Sequence, residues 1–218
     1  MFPEKVQRNN LLLDLDGPIL DVSERYYRVY KKIIEEIGGR PLDKKTYWRC
    51  KRKKIDLSKM LCLSAIKKDK ALLFRREWLN RIERKSFLTY DRIWPYTRDT
   101  LKKLSIKHKL ILITLRRSPA NLNWQLRRLK LKGYFDSILC QGNNKGDWRV
   151  KYDLARRAGL HCACSFLIGD TEIDILSGKK SGAKTIALLS GVRCRDILRR
   201  YKPDYILNSL RETNRVLD

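Results

Sequence analysis

Leu11-Leu12-Leu13-Asp14-Leu15-Asp16-Gly17 is the stretch on which the fold turns. A short apolar run that stops on acids and a glycine reads as a strand buried on both faces, the kind that builds parallel sheets. A second run, Phe166-Leu167-Ile168-Gly169-Asp170, ends the same way and is followed by Asp174. Open parallel sheets hold their ligands just beyond the carboxyl ends of their strands, so these acids are expected to meet in space. Period-two geometry puts Asp14 and Asp16 on one side of the strand end. Two carboxylates so placed repel each other unless a cation lies between them, and Mg²⁺, a hard ion that takes oxygen ligands, is the one expected. Asp170 would complete its coordination. An Asp that merely caps the next helix explains one acid, but not two strands that both end on acids.

Around these runs, strands and helices alternate. Val22 to Ile37 carries apolar residues at helical spacing and stops at Gly38-Gly39. Pro41 to about Tyr90 is helical and strongly charged, with no strand run, and Pro95 closes it. A helix from Thr97 to Leu104 leads into the strand Lys109 to Thr114, and Pro119 to Leu131 is again helical. Ser137 to Cys140 and Ser165 to Asp170 read as strands around a helix over Trp148 to Ala158, and short segments continue the alternation to Val216. Repeated strand–helix–strand units imply an α/β fold, a doubly wound parallel sheet with a Rossmann-like core. The helical stretch breaks the rhythm and is expected to be an inserted domain. The expected division is a core from residues 1–21 and 92–218 and a helical domain from residues 22–91.

Of 218 residues, 50 are Lys or Arg and 24 are Asp or Glu, a net charge of +26. Residues 43–92 hold 17 basic and six acidic side chains and are the more basic part. Such a field attracts polyanions, yet the charge is diffuse and no nucleic-acid module is apparent, so a nucleic-acid partner is the less favoured reading. No apolar segment approaches the ~20 residues that span a bilayer, and the six cysteines form no CxxC pair. A cytoplasmic protein with reduced thiols and no membrane partner is expected.

Asp14-Leu15-Asp16-Gly17, then Thr114 after an apolar strand, then Lys145, then Gly169-Asp170-Thr171-Glu172-Ile173-Asp174, taken in that order, resemble the four motifs of the haloacid dehalogenase-like superfamily. The spacing is similar to its phosphoglycolate-phosphatase-like branch. The resemblance implies a Mg²⁺-dependent phosphatase with Asp14 as nucleophile and Asp16 as general acid and base. Asp14, Asp170 and the main-chain carbonyl of Asp16 would hold the metal. Thr114, Arg116 and Lys145 would bind the substrate, and Asp174 would orient Lys145. Lys151 is the alternative for the lysine role, less favoured because it falls inside an expected helix. Pro18 departs from the Thr usual after the motif glycine. The inserted helices resemble the family's C1 cap, whose Tyr47-Trp48-Arg49 and Lys51-Arg52-Lys53-Lys54 stretch would supply cations and an aromatic to the substrate side. A small phosphorylated substrate is implied; a phosphomutase or phosphonatase on the same scaffold, or a polynucleotide-binding or end-processing protein, are the alternatives.

Overall fold

In the computed structural model, which describes residues 9–141, 147–158 and 165–217, the leucine run forms β1 (Asn10–Leu13). The elements that follow are β2 (Leu20–Asp21), α1 (Ser23–Glu36), α2 (Lys44–Arg52), α3 (Leu57–Leu63), α4 (Ala71–Arg81) and α5 (Lys85–Leu88). Next come β3 (Arg92–Ile93), α6 (Thr97–Lys107), β4 (Lys109–Thr114), α7 (Pro119–Arg128), β5 (Ser137–Cys140) and α8 (Trp148–Arg157). The chain ends with β6 (Phe166–Gly169), α9 (Glu172–Lys180), β7 (Lys184–Leu188), α10 (Arg195–Arg199), β8 (Tyr205–Leu207) and α11 (Asn214–Leu217). Six strands make one parallel sheet in the order β5-β4-β1-β6-β7-β8. The chain winds away from β1 in one direction through β4 and β5 and in the other through β6 to β8. That puts the switch in winding at the end of β1, where α/β sheets place ligands.

Side-chain alternation along the strands explains why they read as unbroken apolar runs. Leu11 and Leu13 enter one core with Leu110, Leu112, Ile168 and Leu101, while Leu12 enters another with Ile111, Ile113, Leu154 and Leu167. Both faces of the sheet are therefore covered.

The helices α1 to α5 close their own apolar cluster, which includes Val29, Tyr30, Ile33, Tyr47, Leu61 and Phe74. Tyr30 and Tyr47 stack in it with ring centroids 4.2 Å apart. The chain leaves and rejoins the sheet region through an antiparallel pair not expected from sequence: Leu20 opposite Ile93 and Asp21 opposite Arg92. The Trp94 indole N–H donates to the Gly17 carbonyl at 2.9 Å. The segment's return thereby rests on the Asp14–Gly17 turn. Among the described residues no helix is long and apolar enough to cross a membrane.

Candidate active site

Three strand ends, those of β1, β4 and β6, meet at a cavity of about 270 Å³ lined by Asp14, Asp16, Lys51, Thr114, Lys151 and Asp170 among others. Asp14 follows the last residue of β1, and its main-chain N–H donates to the Ile168 carbonyl at 2.9 Å, fixing it on the seam with β6. Lys151, in the first turn of α8, places Nζ 2.9 Å from Asp14 Oδ1 and 2.5 Å from Asp174 Oδ1. Asp174 Oδ2 accepts from the main-chain N–H of Asp170 (3.1 Å) and of Thr171 (2.9 Å), and from the Thr171 hydroxyl (2.7 Å). It thereby caps α9 while orienting Lys151.

Asp170 is fully buried; its Oδ2 accepts from the Val192 N–H and its Oδ1 has no hydrogen-bond partner. Carboxylate oxygens of Asp14, Asp170 and Asp174 lie within 4.8 Å of one another. Three carboxylates thus face one ammonium among the described residues, and an orphaned buried oxygen points to a missing partner. Burial pushes Asp14 up to about 7, against the pull of Lys151, and raises Asp170 well above the usual carboxylate range, with Asp174 and Asp14 adding to the rise. A divalent cation fits this set: it would balance the charge and return the acids to their ionised form. Asp174 is already satisfied, so Asp14 and Asp170 are the better side-chain ligands.

Gly17 closes this floor. Its φ is +106°, and a Cβ there would lie 2.3 Å from Asp170 Oδ2. Gly17→Ala is expected to cost about 2–4 kcal/mol, from the left-handed backbone and the overlap together. Urea unfolding would check this, and a loss under 1 kcal/mol would contradict the close approach.

Asp16 behaves differently from the expectation that one cation separates it from Asp14. Its carboxylate turns onto two guanidinium groups: Arg116 binds it through Nε (2.9 Å) and Nη2 (2.7 Å), and Arg25 Nη2 lies 3.0 Å from it. Burial works to raise its pKa, but Arg116 and Arg25 prevail and hold it at about 2. Behind it, buried Asp91 takes Arg25 Nε at 3.0 Å and the Gln125 amide N–H at 2.7 Å. The Asp16 carboxylate is therefore outside the three-acid cluster, which leaves only its main-chain carbonyl for a metal. Thr114 is where sequence reading put it, buried at the end of β4 and on the cavity wall. Arg116 lines the same cavity, though Asp16 engages two of its nitrogens. Lys145 lies outside the described residues.

A model of the family described as "Haloacid dehalogenase-like hydrolase" matches residues 11–188, which span the whole sheet as far as β7. The chain belongs to the haloacid dehalogenase-like hydrolase family. It is 27% identical over 191 residues to a phosphoglycolate phosphatase of Aquifex aeolicus, covering 83% of this chain and 84% of the relative. It is 22% identical over 213 residues to the pyrophosphatase PpaX of Bacillus velezensis, covering 92% of each. The solved structure of a haloacid dehalogenase-like family hydrolase from Streptococcus pneumoniae superposes with a TM-score of 0.81 at 20% identity, over 97% of this chain and 99% of that one.

Two features of this family member escaped the sequence reading. Arg25 sits three residues after Val22 and four before Val29, on the buried stripe of α1, where a fully buried charge signals a partner. Asp91, its partner, had no such signal, because it lies at the junction where the helical segment returns. The second feature is a strap from α2 to the core. Arg52 donates to the Gly191 and Leu189 carbonyls at 3.0 Å each, Arg193 Nη1 to the Lys51 carbonyl at 3.0 Å, and the Cys194 N–H to the Arg52 carbonyl at 3.0 Å. Glu172 joins it, 2.9 Å from both Arg193 Nε and Lys54 Nζ.

Proposed function

We propose that this chain is a Mg²⁺-dependent phosphatase that cleaves small phosphate monoesters through a phosphorylated Asp14. One observation carries the reading: a buried aspartate at the switch point of the sheet is held by Lys151 beside the under-partnered Asp170, on the wall of one cavity. Relatives named for phosphoglycolate and pyrophosphate support a small phosphorylated substrate.

Asp14 attacks the phosphorus, the bond to the leaving oxygen breaks, and Asp16 gives that oxygen its proton. Water then attacks the phosphoaspartate, Asp16 takes the proton, and phosphate leaves with Asp14 restored. Dividing the transfer this way replaces one difficult step with two easier ones. Thr114 and Lys151 bind the oxygens of the transferred group, Lys151 taking the lysine role because it touches Asp14. Asp14, Asp170 and the Asp16 carbonyl would hold Mg²⁺, which when bound supplies the positive charge that offsets repulsion between carboxylate and phosphate. We assign residues 22–91 to a lid that closes over this chemistry and residues 1–21 and 92–218 to the core.

Ion-paired with Arg116 and Arg25, Asp16 is in its basic form, suited to the water step; to act as the acid it must take a proton and leave Arg116. Asp16→Asn is therefore expected to lower kcat/KM for ethyl phosphate by about 10²-fold or more and for a nitrophenyl phosphate far less, since an aryl oxide leaves without protonation and kcat/KM reports the transfer to Asp14, not the water step that both esters share. Equal losses on both esters would remove Asp16 from the acid role. The reading as a whole is tested by hydrolysis of nitrophenyl phosphate with Mg²⁺ and with a chelator. Release confined to Mg²⁺ supports it, and release unaffected by the chelator contradicts the metal assignment.

A further inference from the structure

Five cationic side chains line the catalytic cavity, and four are matched to carboxylates: Arg25 and Arg116 to Asp16, Lys151 to Asp14, and Arg193 to Glu172. The fifth, Lys51 on α2, has no carboxylate within ion-pair distance among the described residues. Its Nζ stands between two aromatic rings instead, 5.5 Å from the centroid of Tyr26 and 5.5 Å from that of Trp78. Glu172, the acid whose charge acts on Lys51, is ion-paired with Arg193 and Lys54. Burial, with Arg193 adding to it and Glu172 opposing only in part, lowers the Lys51 ammonium to about 8, so keeping it charged costs free energy that no ion pair offsets. The residue is also held in place: its own carbonyl receives Arg193, and the carbonyl and guanidinium of the next residue, Arg52, are tied to the core. Its neighbours on α2 and just beyond it do other work, with Tyr47 buried in the helical cluster, Arg49 and Lys53 exposed, and Lys54 on Glu172.

We infer that Lys51 is a specificity-determining residue that receives a second anionic group, carried on the leaving-group side of the substrate. The preferred substrate class is then a small phosphate compound with two anionic ends, one at Asp14 and the other at Lys51. This rests on the phosphatase reading and narrows it. An anion here would find a preformed cation with low solvent screening, and the Tyr26 and Trp78 rings keep that cation aimed while the site is empty of substrate.

The test compares kcat/KM for phosphoglycolate, pyrophosphate and ethyl phosphate, the last having no second charge, in the wild type, Lys51→Met, Lys51→Arg and the exposed control Lys53→Met. The wild type should prefer one of the two dianionic-ended probes over ethyl phosphate by at least 10-fold. That preference should collapse toward unity in Lys51→Met through KM, return in part in Lys51→Arg, and persist in Lys53→Met. Preference for phosphoglycolate identifies a carboxylate as the second group, and preference for pyrophosphate a phosphate. A wild type without preference, or a Lys51→Met variant that keeps it, overturns the assignment. Calorimetry in the Asp14→Asn background separates this from failure of the phosphatase reading. There, Lys51→Met should weaken phosphoglycolate or pyrophosphate binding at least 10-fold even if the wild type cleaves neither, and unchanged binding overturns the inference.

Discussion

Asp14→Asn is expected to lower turnover of any phosphate ester by about 10⁴-fold or more while leaving the fold in place. The amide matches the carboxylate in shape but has no charge to offer phosphorus, and no other acid can substitute. Asp170 is turned to Val192, Asp174 is engaged by the α9 cap and Lys151, and Asp16 is held by Arg116 and Arg25. Stability should move in the opposite direction from activity. Three buried carboxylates face Lys151, so replacing one by a neutral amide relieves repulsion among them. Thermal unfolding in metal-free buffer should therefore show a melting temperature unchanged or raised. Residual turnover above about one part in 10² would move the nucleophile elsewhere.

Lys151→Met should be damaging in two ways at once. Lys151 is 2% exposed and bridges Asp14 and Asp174, so its removal strands two buried charges, a loss of about 3–5 kcal/mol for a broken buried pair. It also removes the group that pulls the Asp14 carboxyl down against burial, so a larger share of Asp14 would be protonated at neutral pH and unable to attack. The expected result is lower stability in urea and at least a 10³-fold fall in kcat/KM. Lys151→Arg keeps the charge and separates the electrostatic loss from a folding failure: it should recover most of the stability but less of the activity, because the longer planar group does not fit the space of an ammonium. Lys145→Met should leave both within a few fold. The reverse pattern, with Lys145 essential and Lys151 dispensable, would return the lysine role to Lys145.

The sheet was legible because its strands are buried on both faces. Lys109–Thr114 coincides with the expected run, since an unbroken apolar stretch between helices has few other uses; Ser137–Cys140 also coincides, although it lies at the sheet edge and is only half-buried. β2 and β3 were not legible: two residues each show no period, and their pairing depends on where a distant segment returns. The acids at the strand ends could be read as a group, and the structure does bring Asp14, Asp170 and Asp174 together. The direction of Asp16 could not be read, because it is set by Arg25 and Arg116, which tertiary structure delivers from a helix and a loop. Sequence alone disfavours Lys151, because it lies within a helix. That helix is what carries it to the site, since Lys151 shares a buried face with Leu154 and Ala155, three and four residues on.

The cap charge was legible only in sum. Along α2, most of the basic residues are exposed or tied to the core, and Lys51 alone combines an inward position with no acidic partner among the described residues. Spacing on the helix does not distinguish it from its neighbours, because the rings that hold it come from α1 and α4.

The measurement that bears most directly on the account is chemical trapping of the intermediate. The enzyme is mixed with Mg²⁺ and an excess of nitrophenyl phosphate, quenched during turnover, treated with borohydride and read by peptide mass spectrometry. Borohydride reduces an aspartyl phosphate to homoserine, so the account predicts homoserine at residue 14 and nowhere else, and none when substrate is omitted. Homoserine at another aspartate, or none at residue 14 while nitrophenol is still being released under conditions that trap acyl phosphates, would contradict it.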